Sequence, residues 1–136
     1  MTCASLYRTQ TTKSVKEFVR ALADAGQKRG FIIHNESTME MAHTFGRHGV
    51  QVGAGFDLHM IQICKPEKAA ASLSQNPERA ALMPKFITTF TSNGMTEIRM
   101  LCYGRTMIET LVDDPEFASS LEESYNAIRK MIDESL

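Results

Sequence analysis

Phe86-Ile87-Thr88-Thr89-Phe90-Thr91-Ser92-Asn93-Gly94-Met95-Thr96-Glu97-Ile98-Arg99-Met100-Leu101-Cys102 is the stretch on which the fold turns. Two runs rich in β-branched and aromatic residues, 86–91 and 95–102, flank Asn93-Gly94. That dipeptide tolerates the positive φ angles of a type I′ turn, so the stretch reads as a β-hairpin. A hairpin makes at least part of the sheet antiparallel. Gly104 ends the second strand.

Upstream, the spacing predicts a strand over 56–64. Phe56, Leu58 and Met60 alternate with Ile61 and Ile63, apolar on both faces, which suggests a central position with Leu58, Met60 and Ile61 nearly fully buried. Pro66 suits the first turn of a helix, and the Ala-rich run 67–73 supports one. Asn76-Pro77 and Pro84 bracket a second short helical piece, 78–82. Glycines at 46, 49, 53 and 55 rule out a settled helix there. Ser37 to Glu40 has the S-x-x-E form of a capping box and predicts a short helix carrying Met41, Ala42 and Phe45. The run 31–35 reads as a strand, and 4–9 as another.

Ser14-Val15-Lys16-Glu17 is a second capping box, and Val15, Phe18, Val19 and Leu22 continue it at the spacing of an amphipathic helix ending at Gly26 or Gly30. Downstream, Asp114-Pro115 reads as N-cap and first residue of a long closing helix. Phe117, Leu121, Tyr125, Ile128 and Ile132 form one apolar stripe on it. The element order lacks regular βαβ alternation. It predicts a two-layer α+β domain over residues 1–136, a mostly antiparallel sheet with helices packed on one face.

The length of 136 residues and mass of 15.2 kDa suit one domain. With 43% hydrophobic and 23% charged residues, the chain is neither a disordered tail nor a fibre. Fifteen basic residues against sixteen acidic leave a net charge of −1, which supplies no field to hold nucleic acid. No apolar run approaches the roughly 20 residues of a bilayer-spanning helix, so no membrane partner is expected. Residues 1–10 lack the pattern of a signal peptide, and the expected location is cytoplasmic. Cys3, Cys64 and Cys102 are odd in number and lack C-x-x-C spacing, which argues against a disulfide framework.

Ile63-Cys64-Lys65-Pro66, then Ala69, Ala70 and Leu73, then Asn76-Pro77, then Leu82-Met83-Pro84 and a hairpin, together resemble the family catalogued as domain of unknown function 302. The resemblance covers about residues 15–101. Lys65 stands where the family pattern has Asn, and Lys85 where it has a second Cys. What the resemblance implies is a two-layer α+β fold, a homodimer and an undefined activity. The C-terminal helical extension, 105–136, lies outside the region it covers.

Cys64 ends a strand just before a helix N-terminus, whose partial positive charge favours a thiolate. The plainer alternative is a small buried residue closing the strand. His59 is five residues upstream, on the opposite face of a strand, so the two share a site only through a bulge or a second chain. His34, His43 and His48, with Met39, Met41 and Met60, offer soft donors but no recognised ligand spacing, and no metal site is assigned. The glycine-rich run 46–55 lacks the G-K-[ST] of a phosphate loop, although Arg47 and His48 are placed to meet an anion. No catalytic set assembles.

The reading is a homodimeric ligand-binding or interaction module, not an enzyme. Its ligand-binding candidates are Cys64, His59, Arg47 and His48, and a small molecule is the expected ligand. No cofactor is assigned. The rival is redox or soft-metal handling by Cys64 with His59 or His43. A third class, acyl or thioester chemistry on Cys64, requires a base and oxyanion donors that the sequence does not reveal. The closing helix, with Tyr125 on its stripe, is expected at the dimer contact.

Overall fold

Residues 3–83 and 85–136 are described by the computed structural model. Among them the strands are β1 (Ala4–Thr11), β2 (Ile32–Ile33), β3 (His59–Cys64), β4 (Lys85–Ser92) and β5 (Met95–Tyr103). The helices are α1 (Val15–Gln27), α2 (Met41–Arg47), α3 (Pro66–Gln75), α4 (Arg105–Leu111) and α5 (Pro115–Ser135), with a 3-10 helix at Pro77–Leu82. Pro84, expected to close that last piece, lies outside the described residues.

The hairpin forms at the expected turn, with Asn93 at φ 52° and Gly94 at φ 78°. Every strand pair is antiparallel, in the order β1-β5-β4-β3-β2. The architecture is α+β. Ser14 forms its capping box: its hydroxyl accepts from the Glu17 amide at 3.1 Å, and its own amide donates to the Glu17 carboxylate at 3.3 Å. Asp114 caps α5 by accepting from the Phe117 amide at 3.2 Å.

Val15, Phe18, Val19 and Leu22 of α1 and the whole stripe of α5 meet the inner sheet face of Ile61, Ile63, Ile87, Ile98 and Met100 in one core. Gly26 permits the close approach, because a Cβ there would lie 2.9 Å from the Met131 methyl and 3.3 Å from the Phe31 carbonyl oxygen. The stripe is therefore spent within the chain. Phe117, Leu121, Tyr125, Ile128 and Ile132 are all buried, which corrects the expectation that they face a second copy. One helix is too little to cover five strands, and α5 completes the layer that α1 begins.

Three other expectations change. The predicted strand 56–64 begins only at His59, and it is buried on one face alone. His59, Ile61 and Ile63 point inward, while Met60, Gln62 and Cys64 alternate with them and stay partly exposed; Leu58 and Met60 are half-buried. The helical layer lies on one side, so the other face meets solvent. The strand expected over 31–35 shortens to Ile32–Ile33. The Ser37–Glu40 box does not form, and Glu40 sits at the N-cap of α2 without a side-chain cap. Backbone pairing displaces it: Glu40 bridges His59, the Met41 amide donates to the Leu58 carbonyl, and the Met60 amide donates to the Met39 carbonyl.

Candidate functional site

Where β3 runs into α3, the sheet end, α3 and α5 leave between them a cavity of about 150 Å³. Phe31, Ile63, Leu73, Phe117 and Leu121 give it apolar walls. Cys64, Lys65, Lys68, Lys85 and His34 also line it. Local sequence explains the gathering. Pro66 starts α3 abruptly, leaving Lys65 at its N-cap and Lys68 in its first turn. The β3–β4 register sets Lys85 opposite Ile63, one residue from Cys64.

Lys68 Nζ donates to the Ser120 carbonyl at 3.0 Å and the Ser124 hydroxyl at 2.9 Å, which ties α3 to α5 across the cavity. Lys65 Nζ lies 5.7 Å from the centre of the Phe31 ring, a cation–π contact. Lys85 Nζ reaches the Met83 carbonyl at 3.3 Å. Burial, and then the neighbouring Lys68 ammonium, push the Lys85 amine down to about 8, with Cys64 acting in the opposite sense. Burial also lowers Lys68, against the pull of Glu123. Among the described residues no carboxylate lies within ion-pair distance of these three lysines.

Of the four ligand-binding candidates Cys64, His59, Arg47 and His48, the structure brings Cys64 alone to this cavity, half-buried at its wall. His59 is buried on the inner sheet face, with Nδ1 2.9 Å from the Asp57 carbonyl oxygen, and does not line the cavity. Arg47 and His48 are exposed at the end of α2, away from it. His34, one of the soft donors noted in the sequence, shares the wall with Cys64, whereas His43 is exposed on α2. Among the described residues no group of three or more His, Cys, Asp or Glu converges as metal ligands.

Lys68 and Lys85 are what sequence reasoning missed. Lys85 carried a signal, since it occupies the place of the second cysteine in the pattern that the sequence resembles. Nothing in the sequence placed that position beside Cys64.

An all-antiparallel sheet covered on one face by helices, with a basic, apolar-walled cavity at the β3–α3 junction, defines a two-layer α+β domain. The chain belongs to the family described as Domain of unknown function DUF302, whose sequence pattern matches residues 7–135. That match includes the closing helix, which the resemblance had left outside. A crystal structure described as an uncharacterized conserved protein DUF302 from Bacillus stearothermophilus is similar to this chain, at 17% identity and a TM-score of 0.76. The similarity covers 96% of this chain and 98% of that one, and at such identity it concerns the fold. No curated protein matches. Among the described residues no helix is long and apolar enough to cross a membrane.

Proposed function

We propose that the protein is a binding module for a small, mostly apolar molecule carrying one negative charge, held in the cavity between β3, α3 and α5. One observation carries this reading: three lysines line an apolar-walled cavity with no carboxylate within ion-pair distance among the described residues. Burying cationic groups without a counter-charge is unfavourable, and an anionic ligand relieves that cost. A protein cavity of about 150 Å³ is large enough for a benzene-sized molecule, and a short-chain or small aromatic carboxylate fits that size.

Titration with propionate, followed by backbone amide NMR shifts, tests the reading. Shifts confined to the ends of β3 and α3, and abolished in a Lys68→Met, Lys85→Met double variant, are expected. Absent shifts at millimolar propionate, or identical shifts in the double variant, overturn it.

The module also works as a homodimer, as its family resemblance implies, joined through the outer face of the sheet. Leu6 and Leu101 stand opposite each other there, and with Phe86 and Ile32 they are exposed. Arg8 and Arg99 beside Glu97 offer a second copy charges of both signs.

A further inference from the structure

The three amines at the cavity are not equivalent. Lys68 is held by two oxygens of α5, and Lys65 lies against an aromatic face. Lys85 makes one long hydrogen bond, to a carbonyl in its own connecting segment, and its nitrogen has capacity to spare. We infer that Lys85 is a nucleophilic amine that captures a small carbonyl compound bearing a carboxylate, a 2-oxo acid or an aldehyde acid, as an imine, with Lys68 and Lys65 receiving the carboxylate. This rests on the reading of the cavity as an anion site, and it adds covalent capture to it.

The step balances without oxidant or reductant. The neutral nitrogen attacks the carbonyl carbon and a C–N bond forms. The carbon–oxygen bond of the resulting carbinolamine then breaks. The oxygen departs as water with both hydrogens originally on the amine, and the imine takes one proton from solvent. Burial and the Lys68 ammonium of α3 favour a free amine, while Cys64 of β3 acts in the opposite sense. Lys65 at the N-cap of α3 and His34 after β2 line the same cavity, Glu123 of α5 acts on Lys68, and among the described residues no carboxylate pairs with Lys85. With the amine lowered to about 8, half of it is neutral at pH 8, against well under about 1% of an ordinary exposed lysine. A desolvated lysine beside a second cation is an established way to activate an amine for this chemistry.

The test uses the intact protein with glyoxylate and cyanoborohydride, which fixes the imine as a secondary amine, followed by peptide mapping. Lys85 is expected to be modified roughly 10- to 100-fold faster at pH 8 than the exposed Lys16 and Lys130, with a rate that rises through a midpoint near 8. Lys85→Arg removes the selective adduct while the melting temperature stays within a few degrees. Adducts spread evenly over the exposed lysines, or a selective adduct that survives Lys85→Arg, overturn the inference. Propionate has no reactive carbonyl and separates the two proposals. If propionate binds and no selective adduct forms, the imine fails and the binding module stands. If neither occurs, both fail. A selective adduct without propionate binding upholds the amine chemistry and removes the carboxylate site.

Discussion

Arg79 and Asp114 form an ion pair at 2.6 Å whose side chains keep only 5% and 11% exposure. The Asp114 carboxylate also accepts from Asn76 Nδ2 at 2.9 Å and caps α5. Arg79 in turn donates to the Ser72 hydroxyl at 3.0 Å, and its guanidinium lies 5.5 Å from the centre of the Phe117 ring. One carboxylate thus joins α3, the 3-10 helix and the start of α5, the elements that carry two walls of the cavity.

Removing one partner of this pair leaves the other without its counter-charge, which is the costly way to break it. Arg79→Met is therefore expected to lower the melting temperature by about 5 °C or more, measured by circular dichroism. A loss within about 1 °C would show that the pair contributes little. The Arg79 hydrogen bond, and then that of Asn76, hold the Asp114 carboxyl down at about 2. Because this group is depressed in the folded state, its contribution is present above about pH 4 and disappears as pH falls from there through 2. Asp114→Asn should flatten that acid limb of the stability curve.

Lys85 behaves with the opposite sign. Its amine is lowered to about 8 in the folded chain, so the folded state binds fewer protons than the unfolded one between pH 8 and about 10.4. Stability from this group therefore rises with pH across that window, and its cost is fully present below 8. Lys85→Met should raise the melting temperature at pH 7, with the gain shrinking towards pH 10. An equal difference at both pH values would show that the amine is not desolvated.

Ile61 has no exposed surface, and Met60 beside it is half-buried on the other face of β3. Ile61→Ala should cost on the order of 2–5 kcal/mol as a cavity mutation, and Met60→Ala distinctly less, by urea unfolding. Equal costs would mean that both faces of β3 are covered.

Leu121→Glu drives a charge into the core between α5 and the sheet, and the chain should fail to fold. Leu101→Lys lies on the exposed outer face and should leave the fold intact while separating the copies in sedimentation at micromolar concentration. A Leu101→Lys protein that sediments as wild type would overturn the proposed contact on this face.

Iodoacetamide distinguishes the three thiols. Cys3 is exposed, Cys64 half-buried at the cavity and Cys102 buried. Native protein should be labelled at Cys3 and Cys64, and at Cys102 only after denaturation. Propionate should slow Cys64 and leave Cys3 unchanged; equal slowing of both would detach Cys64 from the ligand site.

What the sequence determined by itself was local. The Asn93-Gly94 turn, the Ser14 and Asp114 caps and the Pro66 helix start each depend on a few adjacent residues whose φ angles and hydrogen bonds are decided by their own chemistry. The apolar stripe of α5 was equally legible, but its destination was not. Periodicity says that a face will be buried and is silent on whether the chain itself or another copy covers it. Tertiary structure alone decided that α5 lies against α1 at Gly26, and that backbone pairing with β3 overrides the Ser37–Glu40 box. It also decided the site. Cys64 and Lys85 are 21 positions apart, and only the antiparallel register of β3 with β4 brings both to one cavity. Register arises from the summed pairing and burial of whole strands, a non-local quantity that no short motif contains.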